Sequence, residues 1–240
     1  MAMAAVQAHL VDADAGLLKL LDPPLVHAVP SAGYIQAYPP GVRENGGQYS
    51  HGAVWALMAQ AEYATRQGTV ADAGDLVYQY FTYLSPAHRS QHASRGAVYG
   101  AEPYVMAADV YSQPPYVGRA GWSWYTGAAS WMHRAAIESI FGLRMGAQDL
   151  SFTPCLPSHW PEAQLTLARD GRTMRFILVR AMADAALDAA AGLLAGTAAR
   201  TLLPGQALRW TALAPHSCFV VPLLRDGARV TLPTDEAAVQ

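Results

Sequence analysis

Charged side chains are scarce in this sequence of 240 residues: Asp, Glu, Lys and Arg make up 14%, against 52% hydrophobic. A chain so apolar buries a core and does not remain disordered. Charge of one sign is lacking too. Sixteen Lys+Arg against eighteen Asp+Glu leave a formal net charge of −2, which offers no basic footprint to a nucleic-acid backbone or an anionic membrane surface. Long apolar runs are missing as well. The most apolar run, residues 189–199, is interrupted by Thr197 and bounded by Asp188 and Arg200, short of the roughly 20 residues a spanning helix needs.

Cysteine is almost absent. Cys155 and Cys218 cannot build a disulfide framework, and their spacing fits no zinc pattern. Two buried thiols in a reducing compartment are expected, with one bridge between C-terminal strands as the alternative. Residues 1–16 carry Asp12 and Asp14 but no Lys or Arg, the wrong charge for a secretory or mitochondrial leader, so a cytoplasmic protein is expected. The GxGxxG, P-loop and GxSxG signatures are also absent. His88 and His92 stand four apart, but Arg89 occupies the place a zincin gives to glutamate. They read as loop histidines, and no metal site is expected.

What is present changes character near residue 150. Before it, helical spacing dominates. Val54, Leu57, Met58 and Ala61 fall at i, i+3, i+4 and i+7, and Gly68 stands where such a helix stops. Val77, Tyr80, Phe81 and Leu84 repeat the pattern up to Ser85-Pro86. Ala128, Trp131, Met132 and Ala135 form a third stripe that ends at Gly142. After residue 150 the period falls to two. Leu165 and Leu167 alternate with polar neighbours, Asp170-Gly171 turns the chain, and Met174, Phe176 and Leu178 alternate back. A second Asp-Gly pair, Asp226-Gly227, separates residues 218–224 from Val230 and Leu232. The alanine-rich residues 181–201 read as irregular structure or strands. The expectation is an α+β, multidomain chain: a helical region over residues 1–150, then a small antiparallel β-rich cap over residues 151–240.

The helices are joined by long Gly/Pro/Tyr-rich connections, residues 30–49 and 95–125, and structureless loops of such length are usually functional. Three loop segments hold most of the polar and aromatic residues: the first carries Arg43, Glu44, Asn45, Gln48, Tyr49 and His51 within nine residues; the second carries Glu102, Tyr104 and Asp109; the third carries Trp122, Trp124, Thr126 and Gly127. Planar aromatics beside carboxylates and amides suit a sugar, whose apolar ring faces stack while its hydroxyls take paired hydrogen bonds. Thr126-Gly127 opens the third helix. It reads either as an ordinary capped terminus, with Thr126 the N-cap, or as an anion site built from free amides and the helix dipole. Core packing is the alternative for Trp122 and Trp124, and the reading adopted for Trp131.

Three motifs resemble a known family. Arg43-Glu44-Asn45-Gly46-Gly47-Gln48-Tyr49-Ser50-His51, Glu102-Pro103-Tyr104-Val105 and Gly121-Trp122-Ser123-Trp124-Tyr125-Thr126-Gly127 are similar to the inverting glycoside phosphorylases. These are the cellobiose and chitobiose phosphorylase family, formerly glycosyltransferase family 36. The stretch Tyr38-Pro39-Pro40-Gly41-Val42-Arg43-Glu44-Asn45, with Ala108-Asp109-Val110-Tyr111-Ser112, looks most like the C-terminal phosphorylase-like domain of cyclic β-1,2-glucan synthases.

The resemblance implies the C-terminal part of an (α/α)6 barrel followed by a β-sandwich-like cap. It also implies phosphorolysis of β-glucan with inversion, using inorganic phosphate as co-substrate and no cofactor. His51, Thr126 and Gly127 would hold phosphate. Arg43, Glu44, Asn45, Gln48, Tyr49, Glu102, Tyr104, Asp109, Trp122 and Trp124 would surround sugar, Arg43 standing where a lysine is common. The resemblance places the catalytic aspartate upstream, so no catalytic residue is expected in this chain, which alone would be inactive. The remainder of the barrel, a β-glucan oligosaccharide and a second copy of the chain are the expected partners. A phosphate-contacting glutamine common after Glu-Pro-Tyr is replaced by Ala107-Ala108-Asp109. Two other readings stay open: an inverting β-glucan hydrolase, and a non-catalytic carbohydrate-binding remnant.

Overall fold

The computed structural model describes residues 1–68, 70–180 and 199–223. The Asp226-Gly227 hairpin and most of the alanine-rich stretch lie outside the described residues. The chain forms two units, Met1–Gln60 with Leu76–Ala135, and Ala61–Asp75 with Ala136–Gln240.

The first part of the chain carries α1 (Ala2–His9), β1 (Val11–Asp12), β2 (Leu17–Leu18), α2 (Tyr34–Ala37), β3 (Gln48–Tyr49), α3 (Ser50–Gln67), α4 (Val70–Leu84), α5 (Pro86–Arg89), α6 (Ala93–Tyr99), β4 (Asp109–Val110) and α7 (Thr126–Arg134). The spacing of apolar residues explains the three long helices. Along α3, Ala53, Val54, Leu57, Ala61 and Ala64 are buried, and the helix stops before Gly68. Along α4, Val77, Tyr80 and Leu84 are buried. Ser85 is extended because Pro86 follows it, and Pro86 then opens α5. Ala128, Met132 and Ala135 are buried beneath α7, which runs on as a π-helical turn over Ala135–Ile140. A small core of Leu17, Tyr99, Ala107, Val110 and Ala120 lies beneath the long connections.

The second unit is built on strands: β5 (Leu143–Met145), β6 (Asp149–Phe152), β7 (Glu162–Arg169), β8 (Arg172–Arg180), β9 (Arg200–Thr201), β10 (Leu208–Arg209) and β11 (His216–Leu223). One sheet runs β10-β6-β5 and the other β7-β8-β11-β9. Asp170 and Gly171 both take positive φ, 50° and 71°, as the tight turn joining β7 to β8 requires. Phe152, Phe176 and Phe219 form its aromatic core, with ring centroids 4.7 Å and 5.3 Å apart.

The expected antiparallel cap needs correction. β8 pairs antiparallel with β7 but parallel with β11, Phe176 opposite Phe219, and β9 is also parallel to β11. The larger sheet is therefore mixed. A parallel pair needs a crossover of a dozen or more residues, and the chain between Arg180 and His216 is long enough to supply one. The buried part of β11, residues 219–223, reads as a continuous apolar run for the same reason. Among the described residues the helices close no barrel, and no helix is long and apolar enough to cross a membrane. Both cysteines are free thiols, Cys155 buried and Cys218 half-buried.

Candidate functional site

The three segments that carry the polar and aromatic motifs are stitched together by β4. On one side β4 pairs with β3, Tyr49 opposite Asp109 and Gln48 opposite Val110. On the other, Val110 bridges Ala120, the Ala108 amide donates to the Trp122 carbonyl at 2.7 Å, and the Tyr125 amide donates to Met106 at 2.9 Å. Ser50, the first residue of α3, donates its hydroxyl to the Ala107 carbonyl at 2.6 Å and its amide to Ala108 at 2.9 Å. Buried Ala107 and Ala108 thus form the floor on which the first and third motifs are hung. Short ladders of this kind satisfy the backbone groups that burial would otherwise strand.

Three residues expected around sugar are turned into this scaffold. Asn45 is fully buried. Its side chain accepts from the Leu25 amide at 2.7 Å and donates to the carbonyls of Leu25 and Tyr38 at 3.0 Å and 2.8 Å. Gln48 accepts from the Leu18 amide at 2.9 Å and donates to the Tyr83 carbonyl at 3.2 Å. Asp109, 1% exposed, accepts the Arg43 amide at 2.6 Å. Its other oxygen leaves no room for a side chain at Gly121. Burial raises the Asp109 carboxyl above its ordinary value against the pull of the Arg43 amide. As placed, these residues hold loops.

Arg43, Glu44 and Tyr49 gather with Tyr125 beside His51, whereas Glu102, Tyr104 and Trp124 contact one another. Arg43, held at φ 49°, lays its guanidinium over Tyr38 and Tyr49 at 5.4 Å and 5.5 Å, and its Nε lies 3.4 Å from Glu44 Oε2. The Tyr49 hydroxyl is 3.0 Å from that of Tyr125. Burial and that hydrogen bond push the Tyr49 phenol up to about 12. His51 stands edge-on to Tyr125, 5.2 Å between ring centroids, and against Gly127. A Cβ on Gly127 would lie 2.9 Å from His51 Nε2. The helix start lets this imidazole reach the backbone because no side chain intervenes.

The N-cap of α7 is Tyr125, not Thr126 as the sequence suggests. Tyr125 has non-helical dihedrals, φ −84° and ψ 84°, and its carbonyl accepts the first helical bond, from Ala129 at 3.1 Å. Thr126 and Gly127 are therefore exposed residues of the first turn, their amides ahead of the hydrogen-bonded ladder, as at every helix start. Tyr104, Trp122 and Trp124 are also exposed, at 75%, 76% and 62%. Trp124 donates Nε1–H to Glu102 at 3.1 Å. The Glu102 carboxyl is held below its ordinary value by its own amide and by that indole. Tyr125 and Trp55 were not singled out from the sequence as site residues. Trp55 is one helical turn beyond His51, half-exposed, with its centroid 6.3 Å away; the i, i+4 spacing was the available signal. Trp131 is half-buried and edge-on to Trp55 at 5.6 Å.

Of the two expected loop histidines, His88 lies within α5 instead, and His92 is exposed. His88 packs edge-on against Tyr78 and Phe81, and His92 precedes α6. Among the described residues no group of three or more His, Cys, Asp or Glu could hold a metal.

Residues 1–142 match the catalytic domain of the glycosyl hydrolase 94 superfamily. The chain is 40% identical over 179 residues, 75% of its length, to the cyclic beta-(1,2)-glucan synthase NdvB of Rhizobium meliloti (strain 1021). It is 31% identical over 146 residues, 59% of its length, to the N,N'-diacetylchitobiose phosphorylase of Vibrio proteolyticus. It is 29% identical over 158 residues, 64% of its length, to the solabiose phosphorylase of Paenibacillus borealis. It spans only 6%, 16% and 19% of those proteins, respectively.

Proposed function

Because this chain belongs to the glycosyl hydrolase 94 superfamily, we propose that its three loops form the phosphate and sugar end of a glycoside phosphorylase site acting on β-glucan, with β-1,2 linkages the preferred substrate. The observation that carries the reading is the contact of His51 with Gly127 at the start of α7. An imidazole able to take a proton and two amides at the positive end of a helix dipole suit a phosphate dianion.

Phosphate held there attacks the anomeric carbon with one oxygen. The bond from that carbon to the leaving sugar's oxygen breaks, and a carboxylic acid on the opposite face protonates that oxygen. Inversion of a β-linked glucoside gives α-glucose 1-phosphate. The acid is an aspartate from an upstream segment of the barrel. Local carboxylates suit the part less well: Glu44 is paired to Arg43, Glu102 to Trp124, and Asp109 is buried on the Arg43 amide. Arg43, Glu44 and Tyr49 then address the leaving sugar, while Tyr104, Trp122 and Trp124 offer ring faces for stacking. Asp109 acts on that sugar by fixing the Arg43 backbone. The higher identity to the β-(1,2)-glucan synthase, and a planar Arg43 fork able to hold two hydroxyls, favour the β-1,2 linkage.

A titration of the chain with inorganic phosphate, followed in proton–nitrogen correlation spectra, tests the site. Thr126 and Gly127 amides should shift, and His51→Ala should remove the response. Phosphate that leaves all of these signals unmoved would refute the site. The exposed Tyr104, Trp122 and Trp124 favour, as a second reading, sugar binding without chemistry. That reading gains if β-1,2-glucan shifts the indole signals while phosphate does nothing.

A further inference from the structure

A cavity in the first unit is lined by residues that the phosphorylase reading does not use. It has a volume of about 610 Å³, and its wall includes the β1–β2 turn, the end of α4, α5, α6 and Val117-Gly118. Arg89 is its central feature. This side chain donates Nε–H to the Tyr83 carbonyl at 2.7 Å and a second N–H to the Gly16 carbonyl. Among the described residues no carboxylate forms an ion pair with it, and a guanidinium fork has five donors, more than these two bonds use. Arg95 shares the cavity wall, placing a second guanidinium beside the first.

An arginine withdrawn from water without a counter-ion is an unfavourable arrangement. Burial, with Arg95 adding repulsion, brings the Arg89 guanidinium down to about 10. His88, also in the wall, keeps Nδ1 buried without a hydrogen-bond partner. The acidic neighbour in the wall, Asp14, is an exposed turn residue that leaves the inner end positive. Buried Tyr99 and exposed Val98 supply apolar surface next to the charged fork.

We propose that this cavity binds an organic phosphate monoester of monosaccharide size, Arg89 and Arg95 gripping the phosphate and Tyr99 meeting the sugar. Guanidinium forks match tetrahedral oxyanions through paired, charge-assisted hydrogen bonds. The cavity is far larger than inorganic phosphate alone requires. The proposal does not depend on the role assigned to His51.

Calorimetric titration of the chain with glucose 1-phosphate, glucose 6-phosphate and inorganic phosphate provides the test. The sugar phosphates should bind more tightly than inorganic phosphate. Arg95→Ala, at an exposed position, should weaken sugar phosphate binding about tenfold, as expected for one charge-assisted contact. Arg89→Lys should weaken it further while keeping a cation beneath Tyr83. His51→Ala should leave glucose 6-phosphate binding unchanged. Failure of either sugar phosphate to bind, or affinity unaffected by Arg95→Ala, would overturn the proposal. So would glucose 6-phosphate binding abolished by His51→Ala, which would assign that ligand to the α7 site instead.

Discussion

The two units hold their polypeptide in different ways. The strand-rich unit is built on ladder hydrogen bonds and an apolar centre: eight registered pairs join β7 to β8, another eight join β8 to β11, and Phe152, Phe176 and Phe219 lie buried together. The loop-bearing unit has only two-residue strands around β4. Its irregular segments are fixed by buried amides, hydroxyls and one carboxyl group that bond to backbone, namely Asn45, Gln48, Ser50, Ser112 and Asp109. Regular ladders satisfy themselves, whereas a loop that must display particular groups borrows side chains to satisfy its backbone. The consequence is a set of loops fixed without long strands.

The largest test of that contrast is Phe176→Ala in the strand-rich unit. Removing a ring buried between two others should lower stability by about 3–5 kcal/mol, measured by urea denaturation. The matching change in the loop unit is Asn45→Ala. It strips three hydrogen bonds and strands the Leu25 amide, at about 1–3 kcal/mol for each unsatisfied buried group, so a loss of about 3 kcal/mol is expected. A loss below about 1 kcal/mol would mean that apolar contacts hold the loops after all.

Gly127→Ala separates display from stability. Alanine suits a helix better than glycine, so the melting midpoint should hold or rise. Phosphate affinity should fall about tenfold or more, because the new methyl displaces the His51 ring and removes a charge-assisted contact. Loss of stability without loss of affinity would make His51 a packing residue. Thiol accessibility sharpens the comparison further. Burial pushes the Cys155 thiol up to about 12, so half-buried Cys218 should be alkylated well before Cys155 in the native protein, a ratio readable by mass spectrometry.

The smallest effect concerns Asp75. It accepts both the amide and hydroxyl of Ser158, at 2.6 Å and 2.7 Å, and these bonds lower its pKa. A lowered value contributes stability above the unfolded-state pKa of about 3.9, and that contribution disappears as pH falls through the folded-state value. Asp75→Asn should therefore flatten the acid limb of the stability curve slightly. An unchanged acid limb would mean the exposed pair contributes nothing.

The sequence by itself determined whatever depends on near neighbours. Helical spacing marked α3, α4 and α7; Ser85-Pro86 marked a break; Asp170-Gly171 marked the β7–β8 turn. The motif spellings identified the family and marked residues between 43 and 127 as candidates for a site. Three outcomes required the tertiary structure. β11 lies parallel to β8, since register and direction between distant strands are set by which faces become buried together. Tyr125 displaces Thr126 as the cap because strand-like bonding of its amide to Met106 fixes where the helix begins. Asn45, Gln48 and Asp109 face the scaffold while Arg43 and His51 meet the aromatic cluster. A list of polar residues in one loop looks uniform in sequence. Burial sorts them, because a side chain enclosed beside unpaired backbone must bond to it, and only those left at the surface remain available to a ligand.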